Sequence, residues 1–242
     1  MKRSRSVNLI FILVLLVATL ACIRLGFWQL TRLEQRMARN QSIHDQLGSP
    51  LKTVSGKELD FQRVIVEGNF LPEHQFVLKK RTLNEFAGFH LVTPLQTEAG
   101  RVILVDRGWI PYNQGSELTL EMYRHPGAVE VLGVLQPSQA QPRWDFLADP
   151  VPTPGDPPLR SWRLIDIDAI QDQVPFPLHN QDLSLTQIKP KVESMPTPNF
   201  QVDLSDNPYL SYAIQWFSFA AIALTGGGVF LLCARDRSAS EV

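Results

Sequence analysis

The sequence predicts a membrane protein of the α+β class, in which two transmembrane helices flank a β-rich, mainly antiparallel exported domain, either an open sheet or barrel-like. Three observations predict it. The runs VNLIFILVLLVATLACI (Val7–Ile23) and YAIQWFSFAAIALTGGGVFLLC (Tyr212–Cys233) carry no charge, and each is close to the roughly 20 residues that a membrane-spanning helix needs. The chain between them is mixed in polarity and reads as short alternating segments broken by turn residues. Basic residues then orient the chain. No Lys or Arg lies between Lys191 and Arg235, while Arg235 and Arg237 follow the second run directly. Basic flanks face the cytoplasm, so the C-terminus is expected inside, the N-terminus is returned to the same side, and the middle is exported.

The expected organisation is a cytoplasmic tail (1–6), a first span (7–24), the exported domain (25–210), a second span (211–233) and a second tail (234–242). MKRSRS before an apolar core is a design shared by secretory signals and first membrane helices. Cys22 follows Thr19, Leu20 and Ala21, and Leu20 stands where a lipid-modified cysteine wants a small residue. Beyond it Gly26, Leu30, Leu33 and Met37 form one stripe at helical spacing, and Trp28, Arg32, Arg36 and Arg39 fall on another face. No proline occurs before Pro50. The first span is therefore expected to be an uncleaved anchor whose helix continues outward by several turns, with Trp28 and Arg24 as interfacial anchors. Six residues ahead of the span are too few for a mitochondrial presequence, so the expected site is the bacterial inner membrane, with a periplasmic central domain.

The strands are read in order as Arg63–Phe70, Gln75–Lys80, Gly88–Leu95, Arg101–Ile110, Val129–Leu135 and Arg160–Asp166. A short helix is expected in AIQDQ after Asp168, and PFPLHN and LTQIK are read as short strands. Strands at this spacing suggest an antiparallel sheet or small barrel. Seven prolines between Pro137 and Pro158 make that stretch a loop.

Function classes narrow by composition and motif. The net charge of -1 offers no electrostatic argument for a nucleic-acid partner. The only two cysteines, Cys22 and Cys233, lie inside the apolar runs, so the exported domain has no thiolate metal site and no disulfide framework. Its five histidines (His44, His74, His90, His125 and His179) show no metal-binding spacing, and there is no phosphate loop or nucleophile elbow. The expectation is a non-enzyme without a tightly bound cofactor; a membrane-anchored periplasmic hydrolase is the alternative from another class.

Three clusters stand out. Gly26-Phe27-Trp28-Gln29 with Arg32 opens the exported part. Val105-Asp106-Arg107-Gly108-Trp109-Ile110-Pro111 places a charged Asp-Arg pair in a strongly apolar strand. Asp106 and Arg107 point to opposite strand faces, so Arg107 is expected to find another partner, such as the chain near the membrane, and Gly108 to mark a bulge or a close backbone approach. Tyr209, Tyr212, Gln215 and Trp216 head the second span, with Tyr209, Tyr212 and Trp216 on one helical face.

In this order the clusters resemble the Surfeit locus protein 1 family of cytochrome c oxidase assembly factors. The resemblance covers about Leu25 to Phe219. The family's G-x-W-Q-x-x-R is matched by Gly26, Trp28, Gln29 and Arg32. Its R-G-W-x-P is matched by Arg107, Gly108, Trp109 and Pro111, and its closing Y-A-x-x-W-F by Tyr212, Ala213, Trp216 and Phe217. Between them Gly68, Phe70, Arg81, Gly88, Val92, Thr93 and Pro94 fit the family series, with Lys80 where a proline is common. The resemblance implies a factor that assists haem a placement in the oxidase catalytic subunit. It implies the bilayer, that subunit and other assembly factors as partners, and a transient contact with haem a. The family usually has a histidine where this chain has Tyr209, and tyrosine is a less common haem ligand, so a direct haem a carrier is kept as a further alternative. Replacing Trp28 or Arg107 is expected to lower oxidase assembly without unfolding the domain.

Overall fold

The computed structural model describes residues 2–56, 58–140, 148–150, 157–179, 181–189, 196–205 and 208–239. The chain divides into two units, Met1–Ser42 with Asp203–Val242, and Ile43–Val202.

The first unit is a helix pair. α1 runs unbroken over Lys2–Leu47 and α4 over Tyr209–Ala239. At 1.5 Å per residue α1 is about 69 Å long, more than twice the roughly 30 Å of bilayer hydrocarbon. Both helices are long and apolar enough to cross a membrane. Leu9, Ile10, Leu13 and Val17 are each at least 59% exposed, an arrangement suited to lipid rather than water. On α1, Leu15, Thr19, Cys22, Gly26, Gln29, Leu33, Arg36 and Asn40 are the buried and half-buried positions of an alternating four-three repeat, the 3.5-residue period of a left-handed helix pair. On α4 the matching buried positions are small and seven apart: Ala213, Ala220 and Gly227. Gly26 lies against Phe217 and Gly227 against Leu15. Phe27 meets Phe217 edge-on at 5.4 Å, and Phe11 meets Phe230 at 4.7 Å. Small residues let the two backbones approach where only packing drives association.

The expected stripe on α1 needs two corrections. Met37 is 52% exposed and lies off the seam. Arg36, expected beside Trp28 and Arg32, is on the seam instead. It donates from Nη2 to the Asp203 carbonyl (2.8 Å) and carboxylate (3.2 Å), and from Nε to the Ser205 carbonyl, while Asn40 donates to the Leu204 carbonyl at 2.7 Å. The carbonyls of this non-helical segment lack helical partners and take side-chain donors instead, which draws Arg36 and Asn40 into the seam.

The second unit is a closed five-stranded barrel with additions. β2 (Arg63–Phe70), β4 (Phe86–Thr97), β5 (Val102–Pro111), β6 (Ala128–Pro137) and β8 (Gln181–Lys189) pair in the cycle β2–β6–β8–β5–β4–β2. β1 (Lys52–Thr53), β3 (Phe76–Leu83) and β7 (Ser161–Trp162) extend it. All ladders within the barrel are antiparallel except β5–β8. In β2 the residues Val64, Val66, Gly68 and Phe70 face inward, as strict alternation requires. Closure passes through Gly68: a β-carbon there would lie 2.3 Å from the Gln96 carbonyl oxygen. Val64, Val66, Leu95, Ile103, Val105, Val131, Leu135, Leu183 and Leu185 fill the barrel. A second cluster forms outside it, where Trp162, Ile165, Ile167 and Ile170 pack on Leu78, Val92 and Leu104. A third gathers Val77, Leu91 and Ile110 under Leu120 and Tyr123.

The expected strands appear, with three differences. RSWRLID keeps only two strand residues, because Asp166 caps α3 (Ile167–Gln171) by accepting from Ala169 N–H. PFPLHN contributes a single bridge, Leu178 to Val102; its prolines lack the donors a ladder needs. An unexpected bridge joins Thr197 to Trp109. Most of the proline-rich stretch 137–158 lies outside the described residues. Its Asp149 is buried and accepts hydrogen bonds from Arg163 and Leu164 N–H.

Candidate functional site

The motif residues gather in two places. Gly26, Trp28, Gln29, Arg32, Tyr209, Tyr212 and Trp216 belong to the helix pair. The Gly26–Phe217 contact marks one end of their level and the Arg36–Asp203 bonds the other. Within that level Trp28 is 52% and Tyr212 45% exposed, and Tyr209 and Trp216 are half-buried. The Arg32 guanidinium stands 5.6 Å over the Trp28 ring, a cation–π contact that pre-orients the cation. Trp216 meets Phe219 edge-on at 6.0 Å. The buried Oε1 of Gln29 has no hydrogen-bond partner. Exposed aromatic faces and a held guanidinium therefore lie at one level of the helix pair, groups whose chemistry suits flat and anionic surfaces.

Arg107, Gly108, Trp109 and Pro111 belong to the barrel. Leu91 pairs with Gly108 while Val92 pairs with Asp106, so Arg107 is the extra residue of a β-bulge. Gly108 has φ +112°, and a β-carbon on it would lie 2.1 Å from the Thr197 carbonyl oxygen. Both expectations for Gly108, a bulge and a close backbone approach, therefore hold. Asp106 fastens the bulge: its Oδ1 accepts Gly108 N–H at 3.0 Å and its Oδ2 lies 2.8 Å from His90 Nδ1. Trp109 exchanges two backbone hydrogen bonds with Thr197, at 2.7 and 2.9 Å, and its indole lies on Gly88. Pro111 ends the strand opposite Gly88.

Arg107 turns inward. It is 2% exposed, donates from Nη1 to the Tyr123 carbonyl at 2.8 Å and lies 4.8 Å over the Phe70 ring. Its partners are thus the barrel's own Tyr123 and Phe70 rather than chain near the membrane. Burial pushes its guanidinium down to about 10, which leaves it charged at neutral pH. Burial likewise pushes the Tyr123 hydroxyl up, opposed by the Arg107 charge. A cation so enclosed acts on the fold, and the expectation that its replacement would spare the domain is withdrawn. The sequence signal for this is the charged pair beside Gly108 in an apolar strand; what it does not supply is which member of the pair the bulge turns inward.

Chemistry is sparse elsewhere. Among the described residues no serine or threonine hydroxyl is hydrogen-bonded to a histidine, and no group of three or more His, Cys, Asp or Glu residues is placed to hold a metal. The His90–Asp106 pair, which sequence reading missed, has a buried Nε2 with no partner. His179 Nδ1 accepts from Gln181 N–H.

Residues 16–221 match the SURF1 family. The chain belongs to the SURF1 family. A SURF1-like protein of Rickettsia bellii (strain RML369-C) is 27% identical over 220 residues, covering 86% of each chain. One from Rickettsia prowazekii (strain Madrid E) is 30% identical over 208 residues, covering 81% of this chain and 79% of the relative. A third, from Dictyostelium discoideum, is 25% identical over 246 residues, covering 81% and 87%. The SURF1 match spans both motif groups and reaches into the apolar run of each helix, so the helix pair and the barrel belong to one family unit. The departure at Lys80 also has a physical meaning within the SURF1 pattern. Lys80 sits in a bulge between Leu78 and Arg81 with φ +58°, a conformation closed to proline, whose φ is locked near -65°.

Proposed function

We propose that this protein is a membrane-anchored assembly factor for haem–copper cytochrome c oxidase, assisting haem a placement in the catalytic subunit without catalysing a reaction. The observation that carries the reading is SURF1 family membership across both helices and the barrel. The level of Trp28, Arg32, Tyr209, Tyr212 and Trp216 is the surface that meets the client. Trp28 and Arg32 are its exposed groups on α1, and arginine suits haem propionates through charge-assisted hydrogen bonds. The basic residues after the second span support cytoplasmic termini and a periplasmic barrel in a bacterial inner membrane. Haem a is cargo in this reading, and its partners are the bilayer, the catalytic subunit and other assembly factors.

The test is the reduced-minus-oxidised haem a spectrum, with oxidase activity, of membranes from cells lacking the protein. A selective drop in both, restored by the intact gene but not by a Trp28→Ala, Arg32→Gln double variant present at normal level, is the expected outcome. Unchanged haem a signal and activity would refute the reading and move weight to an anchored hydrolase.

A further inference from the structure

The wall of the barrel contains an acid that the family motifs do not include. Asp182 is the second residue of β8 and is 2% exposed. Directly across the ladder on β6 stands Gln136. Asp182 Oδ1 and Gln136 Nε2 are both buried, and neither is hydrogen-bonded. On the other side β5 brings Asp106, paired in register with Ser184. Asp106 is already committed to His90 and to Gly108 N–H. The nearby cation, Arg81 of β3, gives its Nη1 and Nη2 to the carbonyls of Lys79 and Arg163. Within β8 the neighbouring Gln181 bonds Asp60. Among the described residues Asp182 therefore has an uncharged amide on one flank, a like charge on the other and no ion pair.

The backbone N–H of Asp182 itself favours the carboxylate, but burial outweighs it, and a buried carboxylate without a counter-charge is far costlier than a buried carboxyl. We propose that Asp182 is a proton-binding site in the barrel wall, held neutral at neutral pH by its burial opposite Gln136 and beside the Asp106–His90 pair. Burial, and then the Asp106 charge, push its carboxyl well above the usual range. The sign follows. Folding takes up a proton above the ordinary carboxylate range, so stability is highest on the acid side and falls as pH rises through the raised value of Asp182. The seam affected is β5–β8, joined in parallel only through Val105–Leu183 and Asp106–Ser184. That seam tightens when Asp182 is protonated and loosens when the proton leaves.

The test uses the full chain in detergent micelles. Infrared difference spectra at neutral pH should show the C=O band of a protonated carboxyl. The band should vanish in Asp182→Asn and persist in Glu58→Gln. In Asp106→Asn, which removes the like charge, it should titrate at lower pH than in the wild type. Amide exchange at Leu183–Leu185 should be slower in Asp182→Asn than in the wild type at one alkaline pH. Absence of the band from the folded wild type at neutral pH overturns the proposal even where no variant folds, as does a band that Asp182→Asn leaves unchanged.

Discussion

Gly26 on α1 and Phe217 on α4 are packed so closely that a β-carbon at position 26 would lie 2.6 Å from the phenyl Cε1. The first and last family motifs thus meet at this contact and at the neighbouring Phe27–Phe217 pair, and the close approach of the helices here depends on the missing side chain. Gly26→Val should force the helices apart or the ring out of its seat, an overpacking cost of roughly 1–3 kcal/mol. Gly226, with nothing within 4 Å of its notional β-carbon, is the matched control: Gly226→Val should change stability by less than about 0.5 kcal/mol. Thermal unfolding in detergent distinguishes them, and equal effects would refute the seat.

Arg107 should behave as a core residue. Arg107→Ala removes the bond to the Tyr123 carbonyl and the contact over Phe70, and leaves a cavity. A loss of about 2–4 kcal/mol is expected, seen as a lowered unfolding midpoint. Arg107→Lys should recover little, because a point charge cannot both lie flat on the ring and reach the carbonyl. Trp28→Ala, at an exposed helix position, should leave the midpoint nearly unchanged. A stable Arg107→Ala barrel would contradict the inward placement.

Lys80 tests the bulge in β3. A non-glycine residue at φ +58° costs about 1 kcal/mol that glycine does not. Lys80→Gly should therefore stabilise the barrel slightly, by up to about 1 kcal/mol after the entropy it adds to the unfolded chain. Lys80→Pro, which installs the residue more usual in the family pattern, should destabilise it strongly. Chemical denaturation curves of the two variants should move in opposite directions.

Glu58 sets an acid limit. It is half-buried. Burial pushes its carboxyl up, but the Ser55 N–H and hydroxyl and the Gly56 N–H outweigh this and hold it down to about 2. The folded value lies below the unfolded one, so this stabilisation is present above about pH 4.5 and is lost as pH falls toward 2. With solvent screening it is worth about 1–2 kcal/mol. Glu58→Gln should remove it at neutral pH and flatten stability between pH 4.5 and 2. An identical acid profile in the variant would show that the turn at Ser55–Gly56 contributes nothing.

Much of the architecture was legible because each signal is periodic and local. The alternation in Arg63–Phe70 predicts β2 with its observed limits, and the charge-free runs predict both helices. The candidate residues on the helices were legible for the same reason. What failed to read was non-local. Arg36 was grouped with Trp28 and Arg32 by spacing, yet the acceptors at 203–205, some 165 residues away, draw it to the seam. The pairing of His90 with Asp106 is not legible, because their 2.8 Å contact joins neighbouring strands and leaves no spacing pattern.

By itself the sequence determined that this protein has two helices able to cross a membrane, a β-rich unit between them and three motif clusters. Hydrophobic period and charge are properties of neighbouring residues, and they survive in a linear reading. Tertiary structure alone decided that the strands close into a barrel through Gly68, that Arg107 is interior and that Gly26 seats Phe217. Each of these depends on a bulge or a close approach between distant segments, where one extra residue reverses which face a side chain takes.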